Sequence, residues 1–231
     1  MSRVRNFTPN ALTCVNLAFG AFAIIEIFEG RLEYVIYYTI LSGVADFFDG
    51  FAARMLKSAS NIGKDLDSLA DMVSFGIVPS LVMYQLLQIS APDTPWKYLA
   101  ILIAVMSGLR LAKFNNDERQ SDQFFGLPTP ANAFLIVSLA YMTGVGIWID
   151  IIGNWQILVG ITLVTSFMLV ADIPMLAFKF SQFGWKGNKV KYTFLLMSLI
   201  LAALLKIVAV PLIIIMYIML SFLSHVFKPQ T

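Results

Sequence analysis

Charge is scarce in this chain. Of 231 residues only 13% are Asp, Glu, Lys or Arg, while 58% are hydrophobic. A soluble domain carries about 25% charged residues, so the balance excludes an ordinary soluble globule and points to an integral membrane protein. There is one cysteine, Cys14, which excludes an intramolecular disulfide and reads as a small apolar filler. The one histidine, His225, has no second ligand at metal spacing and reads as structural. The net charge of +2 is too small to argue for a nucleic-acid partner. No cleavable signal peptide is evident, because Asn10, Thr13 and Asn16 interrupt the first apolar run. With no soluble insert, low-complexity tract or repeat, residues 1–231 read as a single membrane domain.

The apolar runs predict an all-α, polytopic helix bundle of about eight transmembrane helices. Thr8-Pro9 reads as an N-cap and first helical position, with helix 1 running to about Phe28. Further helices are expected at about Leu32–Leu56, Asp65–Leu87, Trp96–Phe114, Ala131–Ile149 and Asn154–Pro174. The stretch from Tyr192 to Phe227 is too long for one crossing and short for two. Lys206 and Pro211 near its middle favour two short helices. With the N-terminus placed in the cytoplasm, only Arg31, Lys97 and Lys206 of the 16 Lys and Arg fall on the far side, as the positive-inside bias requires. Glu26, Glu29 and Glu33 gather at that far end and read as solvated.

Against this apolar background, Asp46, Asp49, Asp67 and Asp71 stand out. A carboxylate at membrane depth needs a function or a partner to persist. Asp46 and Asp49 are three apart and share one helix face, and Asp67 and Asp71, four apart, share another. Lys57 to Lys64 between them reads as a polar turn holding Gly63. Antiparallel packing about that turn would bring the two pairs face to face, with Asp49 and Asp71 roughly 12 Å deep. Four hard oxygen donors suit Mg²⁺ or Mn²⁺, with room for two ions. Arg54 lies slightly over two turns beyond Asp46 and could hold a phosphate in its planar fork. Gly50 and Ala53 are small enough to let a ligand approach the backbone. Asp65 falls off the face shared by Asp67 and Asp71. Asp172, before Pro174, reads as a helix-end residue.

The order D-x2-D-G-x2-A-R-x8-G-x3-D-x3-D, filled at every fixed position from Asp46 to Asp71, resembles the signature of the CDP-alcohol phosphatidyltransferase family. The resemblance implies transfer of a phosphatidyl group from CDP-diacylglycerol to an alcohol, with release of CMP. It implies that Asp46, Asp49, Asp67 and Asp71 hold the metal ions and that Asp71 also takes the proton of the acceptor hydroxyl. It places Gly50, Arg54 and Ser60 at the nucleotide diphosphate, with Ala53 and Gly63 also counted as substrate-binding, and the start of helix 1, with Asn10, Thr13 and Asn16, at the wall of the nucleotide pocket. It further implies an inner-membrane enzyme, multi-pass, with its active site facing the cytoplasm, in contact with membrane lipid and assembled as a homodimer.

The segments Arg110-Leu-Ala-Lys113-Phe-Asn115 and Phe125-Gly-Leu-Pro128-Thr-Pro130-Ala-Asn132 resemble those of the serine-accepting branch of that family. A carboxylate-bearing acceptor needs a cation, which Arg110 and Lys113 could supply, so L-serine is the expected second substrate. Glycerol 3-phosphate or inositol phosphate on the same scaffold stays open, since Arg110, Lys113 and Arg119 could also meet a phosphate. A divalent-metal transporter is the reading from another class. Its expected second, related half is not visible in the sequence.

Overall fold

The computed structural model describes residues 2–56, 61–116, 124–143, 152–176 and 184–226. Among the described residues the regular structure is helical except for one short strand pair. The elements are α1 (Ser2–Phe28), α2 (Leu32–Leu56), α3 (Asn61–Asp71), a π-helical segment (Met72–Ile77), α4 (Val78–Ser90), a 3-10 turn (Pro95–Ala100) leading into α5 (Ile101–Asn116), β1 (Phe124–Phe125), α6 (Thr129–Met142), α7 (Trp155–Val170), β2 (Pro174–Met175), α8 (Trp185–Leu205), a 3-10 turn (Lys206–Val208) and α9 (Ala209–Val226). Among the described residues, four helices are long and apolar enough to cross a membrane: Thr8–Phe28, Ile62–Ser90, Pro95–Asn116 and Asn188–Leu223. Two shorter apolar helices, Thr129–Met142 and Trp155–Val170, accompany them. Large side chains such as Phe28, Leu199 and Leu204 face outward, as hydrocarbon permits and water does not.

Several boundaries differ from expectation for identifiable reasons. α1 starts at Ser2 and carries Pro9 inside it, so Thr8 is not its cap. Pro9 has no N–H to give to the preceding turn, and its own carbonyl accepts from the Thr13 hydroxyl at 3.0 Å. α3 begins by Asn61, which places Gly63 in its first turn instead of in the connecting loop. α7 begins at Trp155, next to its expected start, with the Asn154 side chain as N-cap accepting from the Gln156 amide at 3.0 Å, but it ends at Val170, not Pro174. α6 is described only to Met142, and the rest of the expected helix to Ile149 lies outside the described residues. The break expected near Lys206 is present: Lys206 has φ 52°, ψ −129° between α8 and α9.

The main core lies among α1, α2, α4, α5, α6 and α7, around Val35, Ile36, Val82, Met83, Ile103 and Ile136. Small residues bring α1 close to its neighbours. The Asn16 carbonyl accepts from Ser42 of α2 at 3.2 Å and from Ser74 of the π segment at 3.1 Å. A Cβ on Gly20 would stand 2.4 Å from the Ser74 Oγ. Close backbone approach through small and hydroxylated residues is how apolar helices associate without a hydrophobic driving force. At the other end of α1, Glu26 is buried rather than solvated. Its Oε2 accepts from Arg31 Nε at 2.6 Å, Arg31 also pairs with Glu29, and the hydrogen bond to Glu26 raises the guanidinium pKa. Cys14, expected as filler, is exposed on α1.

Candidate active site

α2 and α3 both pack against α1, and this arrangement builds the site. Oxygens of Asp46, Asp49 and Asp67 lie within 4.8 Å of one another. Asp49 is buried, at 5% exposure, while Asp46 and Asp67 are half-buried. Among the described residues no Lys or Arg forms an ion pair with any of the three. Three carboxylates this close repel one another in a medium of low polarity, so the arrangement calls for a cation, and none is supplied among the described residues. The donor set is all hard oxygen, which fits Mg²⁺ or Mn²⁺.

Asp71 stands outside that group of three. It is the last residue of α3, where the helix widens into the π segment. Pro79 explains the widening: it has no N–H for the carbonyl four residues back, so the ladder relaxes over Met72–Ile77. Asp71 Oδ1 accepts from Asn16 Nδ2 at 3.3 Å. The strongest charge it feels is that of Asp46, followed by Asp67. Of the four acids expected at the metal site, the structure brings three together, with the fourth carboxylate in electrostatic contact and held separately.

α1 supplies the neutral partners. Thr13 Oγ1 donates to Asp49 Oδ2 at 2.7 Å and is only 3% exposed. Asn16 is fully buried, donates to Asp71, and keeps its Oδ1 without a partner. The polar positions at spacing three thus address the acids directly: Thr13 meets Asp49 and Asn16 meets Asp71. Asn10 lies half-buried one turn earlier.

The positions expected at the diphosphate lie on the same two helices as the acids. A Cβ built on Gly50 would meet nothing within 4 Å, so space is open beside it. Ala53 is half-buried and Arg54 exposed in the last turn of α2, with no ion pair among the described residues. Gly63 is half-buried at the start of α3. Ser60 lies outside the described residues. α3 is pinned from the other side: Lys64 Nζ donates to the Asn115 carbonyl at 2.8 Å, and Asn115 Nδ2 donates to Ser68 Oγ at 2.7 Å. These contacts flank Asp67, and neither Ser68 nor the role of Asn115 was singled out in the sequence. Asp65 is exposed, in keeping with its exclusion.

Arg110 and Lys113 part company. Arg110 is 8% exposed, yet its Nη1 has only Thr129 Oγ1, at 3.4 Å, and its Nε has no partner. The guanidinium lies within electrostatic reach of Asp71. Asn132, three residues beyond Thr129 and so on the same face of α6, is fully buried with both ends of its amide unpartnered. Lys113 points elsewhere: its Nζ donates to the Val170 carbonyl at 3.2 Å and sits 3.9 Å from Asp172, both side chains exposed. It caps the C-terminal end of α7, and Asp172 is the helix-end residue expected.

An apolar groove of about 410 Å³ opens beside Asp46. Ile40, Val44, Phe47, Pro130 and Phe134 line it, so it runs between the outer face of α2 and the start of α6 and ends on a carboxylate of the cluster.

Comparison with known proteins places this geometry. The bacterial protein named CDP-diacylglycerol–serine O-phosphatidyltransferase from Bacillus subtilis is 32% identical over 140 residues, covering 59% of this chain and 76% of that one. The protein of the same name from Mycobacterium leprae is 28% identical over 229 residues, covering 94% of this chain and 72% of its own. A yeast protein of that name, from Saccharomyces cerevisiae, is 32% identical over 167 residues, covering 64% of this chain and 59% of its own. The sequence model of the CDP-alcohol phosphatidyltransferases matches residues 6–166, the stretch that holds every acid of the cluster together with Arg110. The chain belongs to the CDP-alcohol phosphatidyltransferase family.

Proposed function

We propose that this protein transfers the phosphatidyl group of CDP-diacylglycerol to the hydroxyl of L-serine, giving phosphatidylserine and CMP. The convergence of Asp46, Asp49 and Asp67 carries the reading, and relatives named for this reaction support it. Asp46, Asp49 and Asp67 would hold Mg²⁺ or Mn²⁺, with Asp71 as fourth carboxylate toward a second ion. Divalent ions bound there would neutralise the diphosphate oxygens and make CMP a better leaving group. Gly50, Ala53, Arg54 and Gly63 would contact the diphosphate, and an acyl chain of the same substrate would occupy the groove beside Asp46.

The chain's own residues then divide the work. Arg110, buried and short of partners, meets the serine carboxylate. Asp71 accepts the proton of the serine hydroxyl, while Asn16 keeps that carboxylate oriented. The hydroxyl oxygen forms its bond to the phosphorus that bears diacylglycerol, in line with the bond to CMP, which breaks. The surrounding helices give the complete topology we propose: eight spans, the shorter apolar helices and the α8–α9 pair included, with the N-terminus in the cytoplasm and the active-site mouth on that side of the cell membrane. The Lys and Arg distribution supports this orientation. A homodimer is the assembly that the family resemblance implies.

The test is an acceptor screen on the purified protein with labelled CDP-diacylglycerol, scoring serine, glycerol 3-phosphate and inositol phosphate. Serine-dependent CMP release that ceases in excess chelator is expected. Undiminished release in chelator removes the metal reading, and preference for a phosphorylated acceptor removes serine.

A further inference from the structure

The family match ends at residue 166, yet the last helix reaches back to the candidate acceptor site. Tyr217 and Ser221 lie one turn apart on α9, both buried, at 5% and 1% exposure. Together they grip both backbone polar groups of Leu176. The Tyr217 hydroxyl donates to the Leu176 carbonyl at 3.1 Å, and the Leu176 amide donates to Ser221 Oγ at 3.2 Å. Ser221 in turn donates to the Tyr217 carbonyl at 2.7 Å, which fixes its hydroxyl for the task. Backbone groups away from water are costly to leave unpaired, so this grip constrains a non-helical segment.

What Leu176 transmits is the position of the loop that carries Thr129. Leu176 directly follows β2, and β2 pairs antiparallel with β1, Phe124 opposite Met175 and Phe125 opposite Pro174. The next two amides are tied to the same region: Gly126 donates to the Ile173 carbonyl at 2.9 Å and Leu127 to that of Met168 at 2.8 Å. Gly126 has φ +76°, and a Cβ there would fall 2.5 Å from the Leu169 carbonyl oxygen. The loop is thereby seated flush against the end of α7. Two residues on, Thr129 opens α6 and accepts from Arg110. Tyr217 also packs with Leu127, Met168 and Met175 in one apolar cluster, and its phenol lies within electrostatic reach of the Arg110 guanidinium.

We infer that Tyr217 is a positioning residue for the acceptor amino acid: through Leu176, the β1–β2 clip and Thr129, it sets where Arg110 presents its free donors. The inference rests on the reading of Arg110 as the contact for the acceptor carboxylate. It assigns to the helix beyond the family match a part in substrate choice, while the acid cluster on α2 and α3 stays independent of it.

The experiment is steady-state kinetics of the purified full-length protein carrying Tyr217→Phe, Ser221→Ala, Arg110→Ala, and Tyr217→Phe with Arg110→Ala. Tyr217→Phe keeps the ring in its cluster and removes only the hydroxyl. Loss of one such hydrogen bond predicts a serine KM raised about fivefold, with the KM for CDP-diacylglycerol and kcat at saturating serine within about twofold of the parent. Ser221→Ala moves the serine KM in the same direction. In the Arg110→Ala background, Tyr217→Phe adds nothing further to the serine KM, a coupling that a general loosening of the fold would not show. An unmoved serine KM in Tyr217→Phe, a parallel rise in both KM values, or full additivity in the double variant overturns the positioning role while Arg110→Ala still raises the serine KM. An Arg110→Ala protein with unchanged serine KM overturns the acceptor reading of Arg110 and this inference with it.

Discussion

Replacing Thr13 by Val tests the site at its most sharply defined contact. Valine has nearly the shape of threonine but no hydroxyl, and the position is only 3% exposed, so the change removes a donor with little repacking. That hydroxyl has one hydrogen and two acceptors in range, Asp49 Oδ2 at 2.7 Å and the Pro9 carbonyl at 3.0 Å. The shorter contact, to a carboxylate, is the stronger claim on the hydrogen. A hydrogen bond to a charged group contributes about 1.5–3 kcal/mol, which at about 1.4 kcal/mol per decade is roughly a factor of ten to a hundred in an equilibrium constant. Asp49 oriented for a divalent ion would lose that much pre-orientation, in the range by which partners behind a metal ligand alter affinity, about 10–100-fold. The assay is CMP release against Mn²⁺ or Mg²⁺ concentration at saturating substrates. Half-activation should move to about tenfold higher metal or more, with the plateau rate nearly restored at saturation. Thr13→Ser, which keeps the hydroxyl, should stay close to the parent. An unchanged metal requirement in Thr13→Val, or equal damage from serine and valine, refutes the claim that Thr13 acts through Asp49.

Asp71→Asn keeps an oxygen for the Asn16 amide but removes the proposed base. It is expected to leave the thermal midpoint in detergent near the parent value while lowering kcat by about 100-fold or more, and full activity would remove Asp71 from that role. Gly126→Ala places a side chain at φ +76° and against the Leu169 carbonyl. The backbone conformation alone costs about 1–2 kcal/mol, so a clear drop in the thermal midpoint is expected, and an unchanged midpoint would mean that the loop is not seated on α7 as described.

The acid cluster was legible because its information is local. Spacings of three and four put Asp46 with Asp49, and Asp67 with Asp71, on helix faces whatever the rest of the chain does. Apolarity marked the helices, so α2 lies where hydropathy put it, from Leu32 to Leu56. The polar positions on α1 were equally visible, although their partners were not, because spacing shows a face and not what the face meets. Asp71 stands apart from the other three at the end of α3, where the helix passes into the π segment, and a spacing of four does not show that change of helix type. Glu26 was expected in solvent because sequence counts charges at a helix end without showing that Arg31 folds back over them.

The grip of α9 on Leu176 had no local signature at all. Its two hydrogen bonds join residues 41 and 45 positions apart, and Tyr217 and Ser221 look like ordinary polar interruptions of an apolar helix. The difference has a physical consequence for this fold. A metal site needs several ligands at short fixed offsets, so two adjacent helices hold nearly all of it. An acceptor pocket needs only one well-placed cation, and any element that reaches the loop beside it can adjust that placement. Substrate choice can therefore be tuned from outside the stretch that carries the chemistry, by a helix added after it, without disturbing a single carboxylate.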